Sequence, residues 1–112
     1  MGSRMGVHLG EFEQLVLLAL VRLGDDAYGV SVQREIAQRT RRETTFGTVY
    51  STLARLESKG FVTSTLGEPT PERGGRGKKH FRISATGRRE LQRSLRALRT
   101  MTRGLDATWD TQ

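Results

Sequence analysis

One stretch of the chain combines small hydroxyl side chains with cations at helical spacing. Residues 45–59, "TFGTVYSTLARLESK", favour a helix in which Val49, Leu53 and Leu56 form an inward stripe. The helical wheel places the polar residues on the opposite face: Thr48, Ser51, Thr52, Arg55, Ser58 and Lys59. Short hydroxyl side chains permit close approach to a duplex, and Arg can form paired hydrogen bonds with guanine. The face can therefore enter the DNA major groove; an ordinary solvated helix face is the alternative.

A second group of cations lies in the segment 67–81, "GEPTPERGGRGKKHF", which connects the strand-like run 61–66 to the strand-like run 79–84 and overlaps the start of the latter. Its basic residues are Arg73, Arg76, Lys78 and Lys79, and the glycines among them are Gly74, Gly75 and Gly77. Glycine lets the backbone approach another surface without obstruction by a Cβ atom. Cations on such a loop can contact phosphates or reach into a narrow minor groove. The alternative is a solvated, disordered loop. The two interpretations are compatible if the loop is disordered in the free protein and becomes ordered on DNA.

The residue types argue against several classes of site. The chain has no cysteine, which excludes disulfides, thiolate metal ligands and cysteine nucleophiles. Nothing in the sequence brings the two histidines, His8 and His80, together as metal ligands or catalytic groups. The run "GGRGKKH" does not match a phosphate-binding P-loop, which requires Gly-Lys followed by Ser or Thr. We therefore expect no catalytic site, no metal site and no cofactor.

Charge is distributed unevenly along the 112 residues, whose net charge is +7. Residues 1–27 hold two basic and four acidic side chains, whereas residues 28–112 hold seventeen and eight. A basic balance favours a polyanion such as nucleic acid, with an anionic membrane surface as the less favoured partner. The longest apolar run, residues 15–21, is too short to span a bilayer, and the N-terminus has no signal-peptide pattern. We expect a soluble, cytoplasmic protein whose polyanion site follows the first helix.

The elements that would position these residues follow the order helix, helix, helix, strand, strand, helix. Predicted helices cover residues 11–23, 30–40 and 45–59, and Ser84 can cap a last helix that begins at Ala85. Gly60 fits the left-handed position that ends the third helix, with Phe61 placed to contact Leu56. The sequence predicts a mainly helical α+β fold, a winged helix-turn-helix with a two-stranded hairpin wing. We expect an N-terminal tail at 1–8, the winged-helix domain at 9–84, and a dimerisation helix with its tail at 85–112.

Apolar faces on the first and last helices predict a homodimer, with a monomer built around a central first helix as the alternative. The candidate interface residues are Phe12, Leu15, Val16, Ala19, Leu91, Leu95, Leu98, Met101, Leu105 and Trp109. Trp109 joins the leucine side only if the last helix continues past Gly104. Trp109 can close the interface, stack on an aromatic ligand, or lie at a frayed end. A small aromatic effector, in a cavity between subunits that Phe12, Leu15, Met101 and Trp109 would line, is therefore a further hypothesis.

Three segments together resemble the PadR family of bacterial transcriptional regulators. They are "LGEFEQLVLLALVRLGDDAYGVSVQREI", "GTVYSTLARLESKGFV" and "ERGGRGKKHFRISATGRREL", and the resemblance covers about residues 9–95. Members are winged-helix DNA-binding proteins, commonly repressors, that act as dimers on inverted repeats. The resemblance implies that Tyr50 and the third helix face DNA, that Arg73 and Arg76 lie on its backbone, and that the first and last helices form the dimer.

The chain departs from the family pattern at two places. His80 stands where members often have an aromatic residue, and Leu98 stands where some short members have a drug-binding tryptophan. The second departure argues against effector binding in that mode.

Residues and resemblance together predict a dimeric, sequence-specific repressor that acts on a palindromic operator in double-stranded DNA. Its DNA-binding residues would be Thr45, Thr48, Tyr50, Ser51, Thr52, Arg55, Lys59, Arg73, Arg76, Lys78 and Lys79. The alternatives are a small-molecule sensor and a non-specific architectural winged helix.

Overall fold

The computed structural model describes residues 8–67 and 78–110. In chain order the elements are α1 (Glu11–Leu23), a 3₁₀ turn (Gly24–Asp26), α2 (Gly29–Thr40), α3 (Phe46–Ser58), β1 (Val62–Leu66), β2 (Lys79–Ile83), α4 (Ala85–Thr102) and α5 (Asp106–Asp110). Three helices, a two-stranded antiparallel hairpin and a long C-terminal helix confirm the predicted winged helix-turn-helix.

Helix α1 lies at the centre of the core. Its buried residues include Val16, Leu17, Ala19 and Leu20, and α2, α3, α4 and β2 all contact it. The nearly all-round apolar sequence of α1 is therefore covered on several sides by its own chain, as in the monomer alternative. Burial of Val16 and Ala19 removes most of the surface that a partner could contact at these positions, so their assignment to a dimer interface is wrong.

Helix α3 ends as its sequence predicts. Gly60 has a φ of 83°, and its N–H donates to the Glu57 carbonyl at 3.0 Å. The Phe61 N–H donates to the Leu56 carbonyl at 3.0 Å, which completes a Schellman motif. Phe61 is buried, and the chain passes directly into β1. This stop fixes the position of the hairpin relative to α3.

The base of the hairpin is attached to the segment that precedes α2. Strands β1 and β2 pair antiparallel, from Val62 opposite Ile83 to Leu66 opposite Lys79. On its other edge β2 pairs through His80 with Tyr28, and the Phe81 N–H donates to the Ala27 carbonyl at 2.8 Å. The base of the wing is therefore held by the segment that precedes α2.

Helix α4 begins against the hairpin and then leaves the core. The Ser84 hydroxyl accepts the Gly87 N–H at 3.0 Å and donates to the Gly60 carbonyl at 2.7 Å, so the predicted cap is confirmed. Leu91 is buried in the core of its own chain, which makes its assignment to a dimer interface wrong. From Arg96 to Gly104 every residue is exposed.

The C-terminal helix stops before the tryptophan. Helix α4 ends at Thr102, Gly104 has a φ of 84°, and the short helix α5 follows. Trp109 would share the leucine side of α4 only if that helix continued past Gly104. Because α4 ends before Gly104, Trp109 does not share a helical face with Leu91 and Leu95.

A candidate nucleic-acid interface

Helix α3 begins at a threonine cap. The Thr45 hydroxyl accepts the Thr48 N–H at 3.0 Å and donates to the Thr48 hydroxyl at 2.9 Å. Such a cap satisfies one of the N–H groups that the first helical turn leaves unpaired. Thr45 and Thr48 are both exposed, so the start of α3 presents hydroxyls and backbone N–H groups on the protein surface.

The outer face of α3 is open to solvent. Thr48, Ser51, Arg55 and Ser58 recur at three- and four-residue spacing and are all exposed. In the residues that the structure describes, no part of the chain covers this row. The structure therefore brings the predicted hydroxyls and the guanidinium together on one free helix surface.

Thr52 does not belong to this surface, and its predicted outward orientation is wrong. It is 2% exposed, and its hydroxyl donates to the Thr48 carbonyl at 2.8 Å. Thr52 lies three residues after Val49 and four before Leu56, so the helical repeat turns it toward the core. The side chain is therefore buried, and its hydroxyl forms a hydrogen bond with the backbone of its own helix. Ser and Thr side chains often form this bond in helices.

Arg55 and Lys59 are joined to α1 through a buried carboxylate. The Glu13 side chain is 8% exposed, and its Oε2 accepts from Arg55 Nε at 3.2 Å and from Lys59 Nζ at 2.9 Å. Its Oε1 accepts the Gly10 N–H at 2.9 Å, which caps α1. Burial opposes the charged form, but the Gly10, Lys59 and Arg55 bonds outweigh it and hold the pKa of Glu13 below its ordinary value.

An aromatic cluster links the start of α3 to the base of the wing. The Phe46 and Tyr50 rings stack with centroids 5.7 Å apart, and Tyr50 meets Phe81 edge-on at 6.1 Å. Phe46 also lies over Gly29, where a Cβ atom would come within 2.5 Å of the ring. Tyr50 is exposed, yet its ring contacts an aromatic ring on each of two sides. Phe46 is exposed beside Tyr50, but it is not among the DNA-binding residues predicted from the sequence. Its position next to the Thr45 helix cap is the signal that could have identified it.

The wing base carries two cations above aromatic rings. Lys78 Nζ lies 4.1 Å from the centroid of Tyr28, and Lys79 Nζ lies 5.8 Å from the Tyr50 and Phe81 centroids. Both lysines are exposed, and Lys79 adjoins Tyr50 at the end of the α3 surface. Arg73 and Arg76 lie outside the residues that the structure describes.

A separate apolar surface lies away from α3. A groove of about 200 Å³ between α1 and α2 is lined by Leu15, Leu18, Ala19, Arg22, Glu35, Ile36, Arg39 and Thr40. Glu35 pairs with Arg22 at 3.3 Å and with Arg39, so ion pairs border the groove. The remaining candidate interface residues are half-buried at Phe12, Leu15, Leu95 and Leu105 and exposed at Leu98, Met101 and Trp109.

Two further observations bear on the class of site. Among residues 8–67 and 78–110, no group of three or more His, Asp or Glu side chains is arranged to hold a metal ion. In the same ranges, no helix has the length and apolar character needed to cross a bilayer.

Comparison with solved structures places the fold among known regulators. A PadR family transcription regulator from hypervirulent Clostridium difficile R20291 is 21% identical with a TM-score of 0.72, and the match covers 89% of this chain and 99% of that one. The PadR-like transcriptional regulator of Bacillus cereus is 15% identical with a TM-score of 0.71, over 88% and 90% of the two chains. Bacillus subtilis PadR in complex with operator DNA is 20% identical with a TM-score of 0.64, over 75% of this chain and 47% of that one. These likenesses show the shared fold.

A family model identifies the chain more specifically. The chain matches no curated protein at a significant level. Residues 17–93, more than half of the chain, match the model of the transcriptional regulator PadR-like family, whose members are regulators and not enzymes. The chain belongs to the PadR-like family of transcriptional regulators.

Proposed function

We propose that this regulator binds double-stranded DNA sequence-specifically through α3 and the wing, and that it represses transcription as a homodimer on a palindromic operator. The observation that carries the proposal is the open row of Thr48, Ser51 and Arg55 beside the exposed Lys79. Hydroxyls, a guanidinium and a flanking ammonium are the groups that bind phosphates and base edges. The site would act where chromosomal DNA lies, in the bacterial cytoplasm.

A fold relative supports DNA as the partner. Bacillus subtilis PadR has been solved in complex with operator DNA, and its TM-score to this chain is 0.64. The shared fold supports DNA as the partner of this chain, but the residues at its own surface carry the assignment of α3 as the contact.

The candidate contacts divide by chemistry. Arg55 is suited to paired hydrogen bonds with a guanine, while Thr45, Thr48 and Ser51 are suited to phosphates or base edges at close range. Tyr50 and Lys59 lie at the border of this surface. Lys78, Lys79, Arg73 and Arg76 would contact the DNA backbone through the wing, where their positive charge adds affinity without reading sequence.

Exposed apolar residues support a homodimer. Met101 is 75% exposed and Leu98 53%, on the half of α4 that projects from the core. The groove beside Leu15 and Leu18 offers apolar surface on α1 and α2 of a second copy. Two-fold symmetry of the protein would be matched by two inverted half-sites about 10 bp apart, one turn of the duplex.

Selection of binding sites from random DNA tests the proposal. We expect the recovered sequences to converge on a palindrome, and a dimer to bind it with a steep dependence on salt. With ~6–10 phosphate contacts, affinity should fall ~10³–10⁵-fold between about 50 and about 200 mM salt. A selection that recovers no common sequence, together with equal affinity for all duplexes, would support a non-specific architectural role instead.

A small aromatic effector is a second proposal, which the exposure of Trp109 favours. Trp109 is the single tryptophan and is 56% exposed beside the projecting part of α4. If flat aromatic compounds bind near it, they should quench its fluorescence and change the affinity for the selected DNA together. Quenching with unchanged DNA affinity would limit this site to binding without regulation.

A further inference from the structure

Glu13 on α1 occupies an unusual place relative to the candidate interface. It lies on the helix at the centre of the core, and its carboxylate reaches Arg55 on α3 and Lys59 at the C-terminal end of α3. Both carboxylate oxygens are used: Oε1 accepts the Gly10 N–H, and Oε2 accepts from the two cations. Because the carboxylate is buried and accepts hydrogen bonds on both oxygens, its position is fixed, unlike that of a mobile charge on the surface.

The contact between Glu13 and Arg55 leaves the two terminal nitrogens of the guanidinium available to bind a base. A guanidinium carries five N–H donors in a planar fork, and the two terminal nitrogens suit paired contacts with one acceptor group. Among the residues that the structure describes, Arg55 bonds through Nε, and its side chain is 54% exposed. A carboxylate on Nε fixes the plane of the fork while the terminal nitrogens are left to a partner.

Fixing this plane before binding has an energetic consequence. A free Arg side chain loses rotamer freedom when it binds, and an arrangement held in advance lowers that cost. The gain is largest for a contact that needs one orientation, such as a paired contact with guanine. A phosphate contact gains no sequence discrimination from this arrangement, because the phosphate is the same at every base pair.

We propose that Glu13 is a positioning residue for base recognition: it holds Arg55 in the orientation that reads the duplex and, by pairing with Arg55 and Lys59, limits their attraction to DNA of any sequence. This inference rests on the proposed function of α3. Glu13 would raise specificity while lowering general affinity for DNA, although it contacts no nucleotide itself.

The variant Glu13→Gln tests this role with little change of shape. Glutamine retains an oxygen for the Gly10 N–H but removes the charge that holds the two cations. We expect the ratio of operator affinity to random-DNA affinity to fall about 10-fold. Affinity for random DNA should rise, and its dependence on salt should steepen, because two cations are released.

Glu57→Gln is the matched control for net charge. Glu57 also lies on α3, but its carboxylate accepts from the Ser64 hydroxyl at 2.7 Å, and no cation of the described residues pairs with it. This variant removes the same charge and leaves Arg55 and Lys59 paired. It should raise affinity for operator and random DNA by the same factor, so that their ratio is unchanged.

Two further variants separate positioning from charge and from stability. Glu13→Asp keeps the charge but is one methylene shorter, so it should lower the affinity ratio without raising affinity for random DNA. This variant also decides the matter if Glu13→Gln does not fold. In an Arg55→Ala background, Glu13→Gln should have no further effect on the ratio, because a positioning residue acts only through the group it positions.

The possible failures can be told apart. The positioning role is overturned, and the proposed function stands, if wild type prefers its operator but Glu13→Gln has the same affinity ratio as wild type. The same conclusion follows if Glu13→Gln lowers the ratio as much in the Arg55→Ala background as in wild type. If wild type shows no sequence preference, the proposed function fails, and the positioning role fails with it. In the free protein, the Arg55 Nε–H signal should be protected from exchange in wild type and lose protection in Glu13→Gln, and equal exchange in both would also overturn the role.

Discussion

Arg55 combines a restrained Nε with a guanidinium that is half open to solvent. The restraint comes from a buried carboxylate on another helix, and the exposure places the side chain in line with Thr48 and Ser51. A side chain that is both held and accessible can discriminate between partners, because it has less rotamer freedom to lose when it binds.

Replacing Arg55 by alanine should relax base preference. We expect Arg55→Ala to weaken operator binding by about 1–3 kcal/mol, the range for one paired contact with a base, and to change random-DNA binding much less. Competition titrations with both duplexes measure this. Arg89→Ala, on α4, removes the same charge elsewhere and should leave the ratio of the two affinities unaltered. Equal losses on both duplexes for Arg55→Ala would mean that Arg55 contacts only the backbone.

The Glu13 cluster also predicts a pH dependence of stability. Because the pKa of Glu13 is lowered in the folded state, its stabilisation is present above the ordinary Glu pKa and is lost as pH falls through the folded pKa. At pH 7, Glu13→Gln should lower the free energy of unfolding by about 1 kcal/mol, since the partners are partly exposed. In denaturant melts the difference from wild type should shrink below about pH 4.3. A difference that stays constant down to acid pH would contradict the assigned ion pairs.

At the scale of elements, Gly87 shows how closely α4 docks on the hairpin. A Cβ atom at position 87 would lie 2.2 Å from the Phe61 carbonyl oxygen. The obstacle is backbone and cannot swing aside as a side chain would. The helix would have to move away from β1, and it would strain the Ser84 cap as it did so.

Gly87→Ala should therefore lower the free energy of unfolding by about 2 kcal/mol or more. Gly47→Ala is the matched control, because Gly47 lies in α3 with only Thr45 Oγ1 at 3.9 Å from an added Cβ. That change should stabilise the protein by up to about 0.5 kcal/mol through helix propensity, because Gly47 lies in the first turn of α3 and not in the helix interior. Thermal or denaturant melts of the two variants check the contrast, and similar stability of both would show that α4 docks less tightly.

Much of the element pattern could be predicted from the sequence because its signals are local. Thr45, Gly60 and Ser84 act on their own neighbours, so the ends of α3 and the start of α4 follow from residue type. The orientation of Thr52 could not be read the same way, because a threonine at the edge of the stripe fits either side. The Glu13 cluster depends on which turn of α1 crosses α3, and no periodicity within either helix contains that information.

At the scale of the whole molecule, the described part of the chain leaves the second half of α4 uncovered. The first half of the helix is buried through Leu91, whereas Leu98 and Met101 project with no cover from the described part of the chain. Burial of Val16 and Leu91 in the monomer shows why the helical wheel alone overestimated the interface. An apolar helix face indicates that the face is buried. It does not indicate whether the same chain or a partner chain covers it.

A charge on this projecting face should weaken dimerisation. We expect Met101→Glu to weaken self-association at least tenfold by burying an unpaired charge, and to reduce operator affinity as a consequence. Sedimentation analysis over a range of concentrations measures the first effect. Thr100→Glu, at the neighbouring exposed position, adds the same charge and serves as the control. If Met101→Glu associates as wild type does, the dimer uses another surface.

The central claim is that the exposed face of α3 contacts the duplex, and a titration followed by NMR tests it most directly. Isotope-labelled protein would be titrated with the selected operator and with an unrelated duplex of the same length. We predict that the largest amide shifts on operator DNA fall within residues 45–59 and around Lys78 and Lys79, with smaller shifts on the unrelated duplex. Unchanged α3 amides, together with shifts confined to another surface, would contradict the account.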